Sequence, residues 1–458
     1  MNNLIETLKQ TYRVLQQHEE GSEEHSEAHG PSAEALVVFF LFAGLLVGGI
    51  LREIKKKTGI PYTPLVFIVG ITLGFTYHKL GVFGKAIYTV SNVDPHGILL
   101  IFLPVLVFES GFNADWHLFK KQFIQIIILA VPCVAISAGL LAFCLKVIVG
   151  YDDIFSWSEA YMFGAILSCT DTVAVIALLK EIGASKKFNS LIEGESLLND
   201  ATCMVLLSIS SSIAKGGSST PLEIVSVFTQ LSVGGVALGV VFGIVSAYWI
   251  RKIFNDHVLV VNITFFSCYL LYFMAENFDF GIKLSGIIAL VAFGLFMAAF
   301  GRSRISSESN HAVHAFWTYV VYCAETVIFL LAGVIIGNRV FLNEEPELDL
   351  DLTTTDYIKV LYLYLCMLVV RFVVISMWMP ILKRKGYGLN WREVNSYYYL
   401  CIINTFFFVK VTVLSYGGLR GAIGIAFSMI VAKDKDFSAN LRQIVRNISE
   451  FLINLLLQ

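Results

Sequence analysis

Charge is what this chain is short of. Asp, Glu, Lys and Arg make up 15% of its 458 residues, against roughly 25% in a soluble globular domain. The charge that is present nearly cancels: 33 Lys and Arg against 35 Asp and Glu leave a formal net charge of −2. A strongly basic surface is thereby excluded, and no nucleic-acid partner is expected. Proline is scarce too, nine residues in all, so helices are seldom interrupted by it. The eight cysteines (Cys133, Cys144, Cys169, Cys203, Cys268, Cys323, Cys366 and Cys401) lie in apolar stretches, and no pair has the spacing of a metal site. They read as small core residues, and no cofactor is implied. No positively charged stretch leads directly into an apolar one near residue 1, so a cleaved signal peptide is not expected.

Apolar sequence fills the space that charge leaves. Hydrophobic residues are 56% of the chain and the mean hydropathy is +0.72. About thirteen apolar segments follow a polar, acidic stretch: residues 35–51, 62–77, 98–112, 124–149, 160–179, 191–213, 224–250, 258–274, 284–300, 316–336, 358–382, 411–431 and a weak 444–457. Several approach the ~20 residues that span a bilayer as a helix. The expected fold class is therefore an all-α polytopic membrane protein embedded in lipid. The connecting loops alternate. Basic ones carry Arg52 with Lys55–Lys57, Lys120 and Lys121, Lys186 and Lys187, Arg251 and Lys252, Arg302 and Arg304, and Lys383–Lys385 with Arg392. The intervening loops are poor in Lys and Arg and often acidic, as at Asp152, Asp153 and 344–351. Basic loops stay in the cytosol, which places the N-terminus outside.

Two acidic motifs sit inside apolar segments: SCTDTVAVIALL at 168–179 and EGESLLNDATCMVLL at 193–207. A carboxylate at membrane depth costs ~2.5–3.5 kcal/mol on insertion scales, and such residues mark ion or proton pathways. Ser168–Thr172 interrupts the fifth segment, and Ser415–Gly421, SYGGLRG, interrupts the twelfth. Irregular backbone at depth persists only around an enclosed cavity. Paired breaks in two halves point to the site of a secondary transporter. On the sixth segment, helical spacing puts Ser196 and Asp200 on one face, and Glu195 and Asn199 on the neighbouring one. Oxygen ligands of this kind suit hard cations. Two more arginines, Arg371 and Arg420, lie in apolar sequence and each needs an anion. The expected pairings are Arg420 with Glu195, and Arg371 with Glu325 as a structural pair; Glu109 is the remaining candidate anion.

LLKEIGASKKFNSLIEGESLLND, YGGLRGAIG and FLPVLVFESGF together resemble the monovalent cation/proton antiporter family, the eukaryotic sodium/proton exchangers. Within it the chain is most similar to the salt-overly-sensitive type of plasma-membrane antiporter. The resemblance implies a fold of about 13 transmembrane helices with inverted repeats and two broken, crossing helices. It implies ion and proton binding at Asp200, Asp171, Thr170 and Ser196, with Na⁺ held at Asp200, Asp171 and Ser196. Glu195, Asn199 and Arg420 would organise that site. It also implies electroneutral exchange of Na⁺ or Li⁺ for H⁺, a homodimer, and placement in the plasma membrane or an intracellular one. The alternatives are a potassium/proton exchanger, with K⁺ as the cation, and a transport-impaired membrane sensor or scaffold. An intramembrane aspartyl hydrolase would also pair two Asp, but gives Arg420 no role, so no enzyme is expected.

The implied domains are an acidic polar tail at 1–34, scaffold and dimerisation helices at 35–112, core transport helices at 119–216, linker and scaffold helices at 222–340, and core transport helices at 357–458. Three departures from the family pattern stand out. Thr172 stands where many members have Pro. The last segment lacks the longer helix and cytosolic tail of the plant type. Residues 395–411, NSYYYLCIINTFFFVKV, separate WREV from TVLSYGGLRG, which the family joins almost directly. A short intron read as coding sequence is the expected origin, with a helical extension or a cytosol-surface segment as the alternatives. Sequencing the mature transcript should find Val394 joined to Thr412 or nearly so. A predominant message that encodes 395–411 would refute that origin.

Overall fold

Long apolar runs with few prolines fold as long helices, and the order of elements follows the hydropathy pattern closely. The computed structural model describes residues 32–58, 62–91, 95–150, 155–169, 185–215, 221–253, 256–278, 284–342, 354–382 and 384. The acidic tail before residue 32, Thr170, Asp171, the insertion at 395–411, Arg420 and the last two apolar segments lie outside them. Every regular element among the described residues is a helix, with no strand. The helices are α1 (Ala33–Thr58), α2 (Tyr62–Thr76), α3 (Gly81–Ser91), α4 (Pro95–Asn113), α5 (Trp116–Ala130), α6 (Pro132–Phe143), α7 (Trp157–Ser168), α8 (Lys186–Ala214), α9 (Pro221–Arg251), α10 (His257–Asn277), α11 (Gly286–Phe296), α12 (Ser307–Leu342) and α13 (Thr354–Leu382). Among the described residues, seven helical stretches are long and apolar enough to cross a membrane, and the chain is a multi-pass membrane protein.

Sequence rules explain the helix ends. Asp115 caps α5 by accepting from the backbone N–H groups of His117 and Leu118, so α5 begins in the polar stretch that holds Lys120 and Lys121. Pro132 sits at the first position of α6, where its missing N–H costs nothing. The single apolar segment 124–149 is thus two helices followed by a π-helical turn, Cys144–Ile148. Ser156 and Glu159 form a reciprocal capping box at the start of α7.

The helices pack around two large apolar cores and a small third one of Val134, Ala138, Ala165, Cys169, Cys203 and Leu206 between α6, α7 and α8. Of the two large ones, the smaller joins α1, α2, α3 and α12 through Phe40, Phe67, Ile87 and Val334. The larger runs from α4 to α13. A node of Phe108, Phe293 and Trp317, each 1% exposed or less, ties α4, α11 and α12 together, with ring centroids 4.6–4.9 Å apart around Phe108. The Trp317 indole N–H is satisfied by Thr264 Oγ1 of α10 at 3.3 Å.

The crossing of α2 and α12 rests on two small-xxx-small pairs, Gly70 with Gly74 and Gly333 with Gly337. In lipid, helices associate by close backbone contact at such positions. A methyl group at Gly70 would come within 2.5 Å of the Leu330 carbonyl oxygen, and one at Gly333 within 2.9 Å of Gly70 Cα. Gly333→Leu should therefore destabilise the protein by about 1–3 kcal/mol or more through overpacking. Gly49→Ala, on the open face of α1, serves as the control. Thermal unfolding in detergent checks this: equal melting of the two variants would refute the close crossing.

Candidate functional site

The site is built where α7 stops. Its last helical residue is Ser168, and Cys169 is already extended, at φ −64° and ψ 124°. The break expected at SCTDT therefore begins at Cys169, in the apolar interior. A helix that ends inside the protein leaves carbonyl oxygens without helical partners. One is met from the neighbouring helix: Asn199 Nδ2 of α8 donates to the Ser168 carbonyl at 3.4 Å.

Helix α8 carries Glu195, Ser196, Asn199 and Asp200 within two turns. Its start is fixed by Ser185, whose hydroxyl accepts from Phe188 N–H. The two faces read from spacing differ in environment. Glu195 and Asn199 are buried, 6% and 1% exposed, whereas Ser196 and Asp200 are half-buried. Asp200 and Asn199 each receive a thiol. Cys169 Sγ donates to Asp200 Oδ1 at 3.0 Å, and Cys203 Sγ donates to Asn199 Oδ1 at 3.1 Å. The Asn-Asp pair is thereby joined through side chains to the end of α7.

Glu195 is met by Arg371 of α13, with Nη2 and Oε1 3.2 Å apart. This corrects the pairing of Arg371 with Glu325 read from sequence. Helix α13 packs against α5 and α6, beside α8. Glu325 lies on α12, next to the hydroxyl pair of Thr326 and Tyr62 in the other core. Arg420, expected opposite Glu195, lies outside the described residues, as do Asp171 and Thr170. Glu109, the remaining candidate anion, is held on its own helix. It accepts from Asn113 Nδ2 on its own helix, and Arg302 Nη2 donates to Asn113 Oδ1 at 3.0 Å.

Helices α5 and α6 hold this region. Gly194 of α8 packs on Ile126 and Phe119 of α5, and Gly164 of α7 packs on the Ala138 backbone of α6. Two buried glutamines of α5 secure helix ends. Gln122 Nε2 donates to the Lys187 carbonyl at 3.0 Å, and Gln125 Nε2 donates to the Leu382 carbonyl at 2.9 Å. Sequence reading passed over these glutamines and read Cys169 and Cys203 as filler. The i, i+4 spacing of Asn199 and Cys203 is the signal that could have placed Cys203 on the site face.

Known proteins agree with this architecture. Residues 37–446 match the family model described as sodium/hydrogen exchanger, transmembrane. Sodium/hydrogen exchanger 7 of Arabidopsis thaliana is 34% identical over 424 residues, covering 92% of this chain and 35% of the relative. Sodium/hydrogen exchanger 8 of the same plant is 34% identical over 408 residues, covering 88% of this chain and 50% of the relative. The chain thus spans half or less of the length of these two relatives. The sodium proton antiporter MjNhaP1 of Methanocaldococcus jannaschii superposes with a TM-score of 0.69, covering 93% of this chain and 94% of that one at 18% identity. At that identity the likeness concerns the fold. From a family match spanning most of its length, the chain belongs to the sodium/hydrogen exchanger family of transmembrane proteins.

Proposed function

We propose that this chain is an electroneutral Na⁺ (or Li⁺)/H⁺ antiporter acting in pH and salt homeostasis. The observation that carries the reading is the Asn199–Asp200 pair on α8, set against the interrupted end of α7. Asp200 is the single carboxylate of that pair, and cation and proton compete for it. A bound Na⁺ favours the ionised carboxylate, and a proton removes its attraction for the cation. Ser196, one turn before Asp200, supplies a neutral oxygen to the same ion. The family resemblance adds Asp171 and Thr170 as further ion ligands and Arg420 as a residue that organises the site. The part-buried Arg371–Glu195 pair ties α13 to α8, so the ion-bearing helices move as one body. In this reading the α5–α8 and α13 bundle slides against α1–α4 and α9–α12. In this reading the protein works as a homodimer in the plasma membrane, as its resemblance to the salt-overly-sensitive type implies.

Stoichiometry is the accessible test. Asn199 offers no second titratable group, so one Na⁺ exchanges for one H⁺ and no net charge crosses. In liposomes with matched ion gradients, the rate should be unchanged when a potassium diffusion potential is imposed. Asn199→Asp is the informative comparison. A wild-type rate that follows the potential would overturn the one-for-one exchange.

A further inference from the structure

We propose, on the antiport reading given above, that Lys146 is a positioning residue of the ion site. It fixes the depth of α7, and so the height at which the end of α7 meets Asn199 and Asp200. Lys146 lies in the π-helical turn Cys144–Ile148 at the end of α6. An α-helix turns one face to its neighbours, yet this turn buries three successive residues, Cys144, Leu145 and Lys146. Turns of this kind recur at functional sites. The lysine is thereby brought inward, where it is 6% exposed. A charge so placed costs free energy unless it is well matched, and an apolar side chain would fill the same space without that cost.

The ammonium meets the head of α7. Nζ donates to the Phe155 carbonyl at 2.7 Å and lies 4.9 Å from the centre of the Trp157 ring. Phe155 is 2% exposed and precedes the N-cap Ser156, so its carbonyl stands outside the helical ladder and needs a donor. Trp157 is 59% exposed, and such a ring favours the membrane–water interface. Lys146 thus ties α7 to the end of α6 at a defined depth. From Trp157 to Ser168 the helix is a rod of about 16 Å. Its far end carries the Ser168 carbonyl that accepts from Asn199 and leads to the Cys169 thiol that donates to Asp200. A slip of one residue along α7 would displace both groups by about 1.5 Å, which breaks both bonds. Elsewhere α6 and α7 meet through the close crossing at Gly164 and a bond from the Tyr161 hydroxyl to the Ala135 carbonyl, 3.3 Å long. The Lys146 bond is shorter and charge-assisted, so it is the stronger axial lock. Helix α13, which carries Arg371, packs against the same π-helical turn.

The test uses the purified full chain in detergent and reads the Na⁺ and Li⁺ concentrations that give half of the ion-dependent rise in melting temperature. Lys146→Met keeps the side-chain bulk and loses the charge. It should need about tenfold more Na⁺, the lower end of what a cation site loses with an outer support. Li⁺, the smaller ion, should lose more than Na⁺, because a slackened site closes less well on it. Lys146→Arg keeps a charged donor and should stay within about threefold of the native chain. A lysine that served stability alone would change the amount of folded protein and leave both midpoints and their ratio in place. Where Lys146→Met is not obtained folded, Trp157→Leu at the exposed ring takes its place and should raise the Na⁺ midpoint about twofold to fivefold. Native midpoints for both ions in the chain so tested, or Lys146→Arg no better than Lys146→Met, would overturn the proposal. Binding is read here without transport. A native chain that binds Na⁺ in detergent and exchanges none in liposomes therefore contradicts the antiport reading alone, and the order of the residue-146 chains still decides the role of Lys146.

Discussion

Asp200→Asn abolishes Na⁺/H⁺ exchange while the protein still inserts and folds; this is the largest functional effect expected of any single substitution. An amide does not take up and release a proton at neutral pH, so it cannot alternate between cation-bound and protonated forms. The packing is little disturbed, since Asn matches Asp in shape and its amide oxygen can still accept the Cys169 thiol seen at Oδ1. The loss should therefore appear as exchange at the level of empty liposomes, with a melting temperature close to that of the unmodified chain. Exchange at the normal rate would remove Asp200 from the centre of the mechanism. Asp171→Asn should be severely impaired by the same reasoning.

Arg371→Ala has the largest expected effect on stability. Its guanidinium is the described partner of Glu195, whose side chain is 8% exposed against 26% for Arg371. Removing one member of a buried pair strips compensation from the charge that stays, at a cost of up to about 3–5 kcal/mol. The yield of folded protein should fall well below that of Asp200→Asn. Glu195→Gln should restore part of it, because the stranded charge is then gone. A double variant no better than Arg371→Ala alone would show that the two residues do not stabilise each other. A parallel Glu325→Gln change should rescue less, since the ion pair of Arg371 is with Glu195.

Much of this fold was legible in hydropathy because lipid demands continuous apolar helices. Segments 191–213, 224–250 and 258–274 fall inside α8, α9 and α10. What hydropathy misreads is the helix beyond the apolar zone. Helix α12 holds 36 residues, about 54 Å of helix at 1.5 Å per residue, whereas the apolar part spans only 316–336. Its polar start, SESNHAVH, continues the helix without contributing to the hydropathy signal. Helix α3 was missed for the opposite reason: its 11 residues are too few for a spanning window. The break after Ser168 was readable because a polar run inside an apolar segment is costly unless it does something. The partner of Arg371 was not readable. Which of Glu195, Glu325 or Glu109 meets it depends on α13 packing beside α6 and α8, and no local pattern in MLVVRFVVI encodes that neighbour. The thiols at Asp200 and Asn199 were hidden because a buried cysteine in apolar sequence looks the same whether it fills space or donates a hydrogen bond.

The central claim is that Na⁺ and H⁺ move in opposite directions through a site at Asp200. Its most direct measurement is the internal pH of liposomes containing only the purified chain, loaded at acid pH and then given external Na⁺. The account predicts that the interior turns alkaline on Na⁺ addition, that Li⁺ does the same, and that liposomes bearing Asp200→Asn do not respond. An interior that stays acid with the native chain, or one that turns equally alkaline with Asp200→Asn, would contradict it.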